Sequence, residues 1–290
     1  MKSKKYLIIS LIFVLCCLST LPVLAQKNIL DSLKSIAIIE QKVMVPMRDG
    51  VRLATDVYRP KTDKPVGVIF SRTPYNFNSW QDGKLSTRNF QTAYKYIKHG
   101  FAYVVQNERG RYFSEGKWDI LGTPTTDGYD AIKWISEQPW SNGKVGLIGC
   151  SSSAEWQMGV AALHPPGLAT VVPMGFGAGI GRVGEFYEQG NWYRGGVHQL
   201  LMTAWLYDYG FIEAYKWRPT FPADMSREEL VGISKYFDLA AEIPEVDWSK
   251  ALWHLPMMDI VKNLEGPKSV YEEMIKRKPN DPAWYKGGLY

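Results

Sequence analysis

The chain has 290 residues, 46% hydrophobic and 13% aromatic, with a formal net charge of +5 at pH 7. That length suits one large domain or one and a half. The charge falls to +2 once the three lysines of an N-terminal leader are set aside, so no nucleic-acid partner is indicated, and no low-complexity tract, internal repeat or second membrane span is present.

The chain opens with a basic head (Lys2, Lys4, Lys5), an apolar stretch from Tyr6 to about Leu18, and Val23-Leu24-Ala25. This reads as a secretory signal peptide over residues 1–25, cleaved near Ala25, with the mature protein exported to the periplasm or beyond and no membrane attachment afterwards. A retained anchor would need a charged stop-transfer flank, which is missing. A lipoprotein signal would use Cys16 or Cys17, although no small residue precedes Cys16. Only Cys150 of the three cysteines survives cleavage, so the mature chain forms no internal disulfide and holds by packing.

Residues 42–60 predict two short strands joined at Arg48-Asp49-Gly50, a strong hairpin signal. GVIFSR (67–72) is a short apolar run, as in a strand covered on both faces. Phe90, Tyr94 and Ile97 recur at helical spacing in 87–98, and His99-Gly100 ends that helix. FAYVVQ (101–106) is a second buried strand, and 125–138 a helix with Ala131, Ile132 and Ile135 facing inward. A strand (144–149), a helix (152–164) and a strand (169–174) follow. Alternation of this kind predicts a mostly parallel α/β sheet entered through an antiparallel hairpin. After about Ala178 the composition turns to Trp, Tyr, Pro and charge with no apolar strand run. The expected organisation is therefore a sheet domain over 26–178 and a helical cap over 179–290.

The strand-to-helix junction KVGLIGCSSSAEW (144–156) carries three consecutive serines. A serine here is an ordinary helix N-cap in most proteins. A nucleophile exposed above a parallel sheet needs a sharp, strained turn with small residues two before and two after it. Ser151 has Gly149 and Ser153 in those places. Ser152 has Cys150 and Ala154, and Ser153 has Ser151 and Glu155, which fit less well. Ser151 is the candidate nucleophile, and the backbone N–H of Ser152, opening a helix, is a natural oxyanion donor. Nothing has metal-ligand spacing and no glycine-rich phosphate loop occurs, so neither metal nor cofactor is expected.

Several segments together resemble the cocaine-esterase and X-Pro dipeptidyl-peptidase family of α/β-hydrolases, which includes α-amino-acid ester hydrolases and glutaryl-cephalosporin acylases. They are VPMRDGVRLATDVYRP (45–60), SRTPY (71–75), NERGRYFSEG (107–116), TDGYDAIKWISEQPWSNGKVGLIGCSS (126–152) and HLPMMD (254–259), and they cover most of 41–290. The resemblance implies an α/β-hydrolase fold with a helical cap, incomplete at the C-terminus. It implies a serine hydrolase cleaving ester or amide bonds of a small-molecule or peptide substrate through an acyl-enzyme. It puts Ser151 in the nucleophile's place and makes Tyr75 the second oxyanion donor through its hydroxyl. Arg109 and Glu115 are expected to brace a loop. Self-association is left open.

Two departures matter. The family's Gly-x-Ser-Tyr-x-Gly elbow has Ser152 and Ala154 at its last two distinctive positions here, which removes an aromatic wall and implies altered substrate preference. The nucleophile also needs a histidine and an acid in the order Ser…Asp…His. His99 precedes a strand at the sheet's opposite edge, His164 lies some 20 Å along the helix from Ser151 at about 1.5 Å per residue, and His198 and His254 fall in the cap region. The expectation is that the base and acid lie beyond Tyr290 and that the chain as given is feeble or inactive. The competing expectation is a secreted, non-catalytic binding protein on a degenerate hydrolase fold. Glu185, Glu188 and Asp208 are acidic residues in cap territory without an assigned role.

Overall fold

A computed structural model describes residues 29–282 apart from 82, 119–123, 176–179, 184, 190–192, 195–196, 210–220, 238, 240–242, 265–270 and 278–279. The leader lies outside these residues. A helix over 29–36 (α1) leads into the strands Ala37–Pro46 (β1) and Arg52–Pro60 (β2), which pair antiparallel across the Asp49-Gly50 turn. Val66–Thr73 (β3) follows. A two-residue-per-strand hairpin, Trp80–Gln81 (β4) with Lys84–Leu85 (β5), precedes the helix Arg88–Lys98 (α2). Then come Ala102–Asn107 (β6), Pro124–Ser136 (α3), Ser141–Cys150 (β7), Ser152–Ala161 (α4) and Leu168–Met174 (β8). Apart from α1 and the β4–β5 hairpin, which the sequence reading does not include, these are the predicted elements. The last helix stops at Ala161, short of the expected 164, and His164 lies beyond it with φ 49°.

The strands form one six-stranded sheet in the order β1-β2-β6-β3-β7-β8, parallel from β6 to β8 and antiparallel at the β1–β2 hairpin and where β2 meets β6. All six residues of β6 are buried, and their alternation serves two cores. Ala102 and Val104 join Phe70, Leu147, Ile132, Ile135, Trp156 and Val160 under α3 and α4, whereas Tyr103 and Val105 join Leu33, Tyr58, Phe90 and Ile97 under α1 and α2. The chain steps one way from β3 to β6 and the other way from β6 to β7 and β8. Right-handed crossovers then put α2 on one face and α3 and α4 on the other. The helices leaving β3 and β7 diverge, which opens a crevice at the carboxyl ends of these neighbouring strands.

The stretch expected to be helical after residue 178 departs from the sequence reading at its start. Ile180–Val183 pairs with Phe186–Gln189, and Tyr193–Arg194 with Val197–His198, before helices begin at Leu200–Tyr209 (α5). These strands of two to four residues are interrupted by Arg182 and Glu188, so they carry no apolar run to detect. Helix Arg227–Tyr236 follows, started by a reciprocal capping box between Ser226 and Glu229. A further hydrophobic cluster gathers Leu206, Tyr207, Val261 and Tyr271 around Trp118, which lies in the segment after β6. No described helix is long and apolar enough to cross a membrane.

One buried ion pair fixes the entry hairpin. Lys42 sits at a bulge in β1 with φ 56° and is 1% exposed. Its backbone N–H and its ammonium both donate to Asp56 Oδ1, at 2.9 and 3.0 Å, while Gln41 Nε2 donates to Oδ2 at 3.1 Å. The Phe77 and Phe113 rings flank the ammonium at 4.6 and 5.4 Å. Desolvation lowers the Lys42 pKa, and Asp56 opposes that shift. Removing the carboxylate alone strands a buried cation. Asp56→Ala is therefore expected to cost about 3–5 kcal/mol, read as a lower urea midpoint at unchanged slope. At the β7–α4 junction an ideal Cβ on Gly149 would lie 2.1 Å from the Ser153 carbonyl oxygen. Gly149→Ala is expected to destabilise by about 1–3 kcal/mol, measured in the same titration.

Candidate active site

The crevice is bordered by β7 running into α4 on one side and the loop after β3 on the other. Ser151 is the residue between β7 and α4, exposed, with φ 56° and ψ −131°. A non-glycine residue at positive φ is held there only when its surroundings over-determine it. Here the Ser151 N–H donates to Met174 O at 2.9 Å, and its carbonyl accepts from Ala154 N at 2.8 Å. Gly149 packs directly on Ser153, so the requirement for small residues on both sides of the turn is met in space as well as in sequence. Ser152 is the first residue of α4, so its N–H is one of the helix-opening donors that lack an intrahelical acceptor.

Tyr75 is half-buried in the loop after β3. Its backbone is pinned at both ends: its N–H donates to Thr73 Oγ1 at 3.2 Å, and its carbonyl accepts from Asn107 Nδ2 at 2.9 Å. Arg111 Nε donates to the Pro74 carbonyl at 2.9 Å. The Tyr75 phenol oxygen accepts from Trp205 Nε1 of α5 at 3.3 Å. An indole can only donate, so this contact does not use the Tyr75 proton. Ser153 is more than a small residue. It is 8% exposed, and its hydroxyl donates to Thr73 Oγ1 at 2.8 Å. Sequence reasoning missed Thr73, because a contact between positions 73 and 153 has no local signature.

Ion pairs hold the surrounding loops. Asp127 of α3 accepts from Arg109 at 2.7 and 3.0 Å and from the buried Arg72 at 3.1 Å, while Arg109 also donates to Asp49 of the β1–β2 turn at 2.7 and 3.1 Å. The Arg109 guanidinium pKa rises, chiefly through its bonds to Asp127, and the Asp49 carboxyl falls below its ordinary value through its bonds to Arg109. Glu115 takes Arg52 Nε at 3.0 Å and its backbone N–H at 2.8 Å. Arg109 and Glu115 thus tie the loop to the sheet. Glu108 accepts from Trp118 Nε1 at 2.9 Å, and desolvation raises its carboxyl pKa against the pull of Arg72 and Arg111.

Among the described residues no histidine is hydrogen-bonded to the Ser151 hydroxyl. His99 Nδ1 lies 2.7 Å from Lys95 O at the far end of the sheet, His164 is exposed, His198 Nε2 lies 3.2 Å from Thr203 Oγ1 in the cap, and His254 contacts Asn263 on the surface. Of the unassigned acidic residues, Glu185 is exposed between two short strands, Glu188 lies in the strand Phe186–Gln189 opposite Gly181, and Asp208 is exposed on α5 with a carboxyl pKa raised by partial desolvation. Among the described residues no cluster of His, Cys, Asp and Glu could hold a metal.

The profile described as X-Pro dipeptidyl-peptidase (S15 family) matches residues 49–290. Cocaine esterase of Rhodococcus sp. (strain MB1 Bresler) is 30% identical over 259 residues, covering 87% of this chain and 41% of that esterase. Among solved structures, an α-amino acid ester hydrolase is 27% identical with a TM-score of 0.47, over 60% of this chain and 30% of its own. A CocE/NonD family hydrolase from Staphylococcus aureus is 25% identical with a TM-score of 0.45, over 62% and 32%. This chain therefore spans less than half the length of each of these relatives. With its hairpin-entered parallel sheet and the match over residues 49–290, the chain belongs to the X-Pro dipeptidyl-peptidase (S15) family and has an α/β-hydrolase fold.

Proposed function

We propose that the protein is a serine hydrolase of ester or amide bonds, acting on acyl or aminoacyl substrates through an acyl-enzyme on Ser151. The observation that carries this reading is the strained backbone of Ser151, exposed at the head of α4 beside the crevice that Tyr75 borders. In the first step Ser151 Oγ attacks the acyl carbon and the carbonyl oxygen becomes an anion. Ser152 N–H and Tyr75 O–H are its donors, favoured by the helix dipole behind the first and the phenol acidity of the second. The tetrahedral intermediate collapses to acyl-Ser151 and releases an alcohol or amine, and water then frees the acid. The proton of Ser151 requires a base. We assign it to a histidine, oriented by an acid, outside this sequence, because its four histidines are exposed or engaged elsewhere. The leader supports export, and the change of composition after about Ala178 supports a boundary between sheet domain and cap there.

The test is turnover of p-nitrophenyl acetate and of an X-Pro dipeptide anilide by the full-length protein. Ser151→Ala is expected to remove activity by several orders of magnitude, and Tyr75→Phe to lower kcat by roughly 10²–10³-fold. Wild-type turnover by Ser151→Ala would overturn the reading, and absence of turnover by the unmutated full-length protein would favour a non-catalytic binding protein. The chain of residues 1–290 alone is expected to turn over either substrate at no more than a residual rate, and normal turnover dependent on His198 or His254 would show that the base is internal.

A further inference from the structure

The proposed reading needs two donors from distant parts of the chain to meet at one oxygen. Ser152 N–H belongs to the first turn of α4, and Tyr75 O–H to the loop after β3. Each segment is rigid on its own account. On one side, Thr73 O accepts from Glu108 N at 3.0 Å and from Asn107 Nδ2 at 3.3 Å, and Asn107 also holds the Tyr75 carbonyl. On the other, the Ser153 carbonyl accepts from Trp156 Nε1 at 3.1 Å and Gln157 Nε2 at 3.3 Å and packs on Gly149. What sets one segment relative to the other is a separate matter.

Thr73 Oγ1 lies between them. It is the last residue of β3, 8% exposed, and its hydroxyl oxygen accepts from Tyr75 N at 3.2 Å and from Ser153 Oγ at 2.8 Å. A hydroxyl oxygen has two acceptor lone pairs, and these two bonds use both. The Tyr75 bond runs to the backbone of the proposed donor itself, and the Ser153 bond to the residue after Ser152. One buried atom therefore spans both halves of the proposed oxyanion hole through two hydrogen bonds. We propose that Thr73 is a positioning residue that fixes the Tyr75 hydroxyl relative to the Ser152 N–H. This rests on the reading of Ser151, Ser152 and Tyr75 given above, and the chemistry remains theirs.

The consequence is specific. Replacing the hydroxyl by a methyl in Thr73→Val keeps shape and volume but leaves the Tyr75 N–H and the Ser153 hydroxyl without this acceptor. A displacement of about 1 Å in a catalytic group costs up to roughly 10²-fold in rate. In the full-length protein with p-nitrophenyl acetate, Thr73→Val is expected to lower kcat by roughly 10- to 100-fold while KM stays within about twofold, since only charge developed in the transition state feels the donors. Thr73→Ser keeps the hydroxyl and is expected to restore kcat to within about threefold of wild type, an allowance for its lost methyl. Ser153→Ala breaks the same bridge from the other end, so the double variant with Thr73→Val is expected to be no worse than about the larger single effect. Ser151→Ala is measured in parallel. If it is inactive while Thr73→Val keeps wild-type kcat, the positioning role is wrong and the serine-hydrolase reading stands. The role is equally wrong if Thr73→Ser is as impaired as Thr73→Val, or if the loss falls on KM. If Ser151→Ala keeps activity, both fall together. Should Thr73→Val fail to fold, Ser153→Ala and Thr73→Ser still decide the matter: a wild-type kcat in Ser153→Ala, or a lost one in Thr73→Ser, overturns the proposal.

Discussion

The turn at Ser151 constrains everything around it. A serine at φ 56° and ψ −131° lies outside the regions open to an L-residue at low cost, and such conformations carry about 1–3 kcal/mol of strain. The structure meets that cost with contacts on both sides. The Met174 carbonyl at the end of β8 holds the Ser151 N–H, and the missing side chain of Gly149 lets the Ser153 carbonyl approach the strand. The first of those contacts depends on the pairing of β7 to β8 in register up to Cys150 opposite Met174. The local geometry of one serine thus draws on sheet register as well as on the small residues of the turn.

Around the turn, buried charge does the work that hydrophobic packing does deeper in the sheet. Arg72 lies at the carboxyl end of β3, its guanidinium 5.8 Å from the Trp156 ring, and bonds Asp127 at the start of α3. Asp127 passes the constraint to Arg109 and thence to Asp49 in the entry turn. Interior ion pairs of this kind add little net stability, because desolvation offsets most of their attraction. Their geometric demand is strict, however, since each arginine fork fits one arrangement of carboxylates. The network's contribution is therefore better understood as fixing where the loops after β3 and β6 sit than as holding the fold together.

The legible and illegible parts of this protein divide along the same line. Strands and helices of the sheet domain were readable because burial imposes a period: Phe90, Tyr94 and Ile97 on α2, or the unbroken apolar run of β6 with both faces covered. The elbow was readable because its requirement is local, namely small residues two positions either side of Ser151. Tyr75 could be singled out only by resemblance, since no property of the phenol's neighbours in sequence distinguishes it from sixteen other tyrosines in the chain. Thr73 escaped altogether. Its meaning lies in the adjacency of β3 and β7, a consequence of strand order that neither segment encodes by itself. The short ladders between Ile180 and His198 escaped for the opposite reason: they are too brief to show any period.

Trp205 extends this coupling to α5. Its indole N–H reaches the Tyr75 oxygen from α5, whose inner residues Leu206 and Tyr207 pack with Trp118. Trp118 in turn donates to Glu108, directly after β6, and its ring lies 6.1 Å from that of Trp205. A donor placed on a phenol oxygen draws density from it and strengthens the hydrogen bond the phenol can itself give. Helix α5 therefore bears on the proposed site through Trp205, both as an aromatic neighbour and as a polarising contact on Tyr75. The elbow has serine rather than an aromatic residue at position 152, and Trp205 places an aromatic ring beside Tyr75 that the elbow itself does not. Any movement of α5 would alter both the surroundings and the polarisation of the Tyr75 hydroxyl.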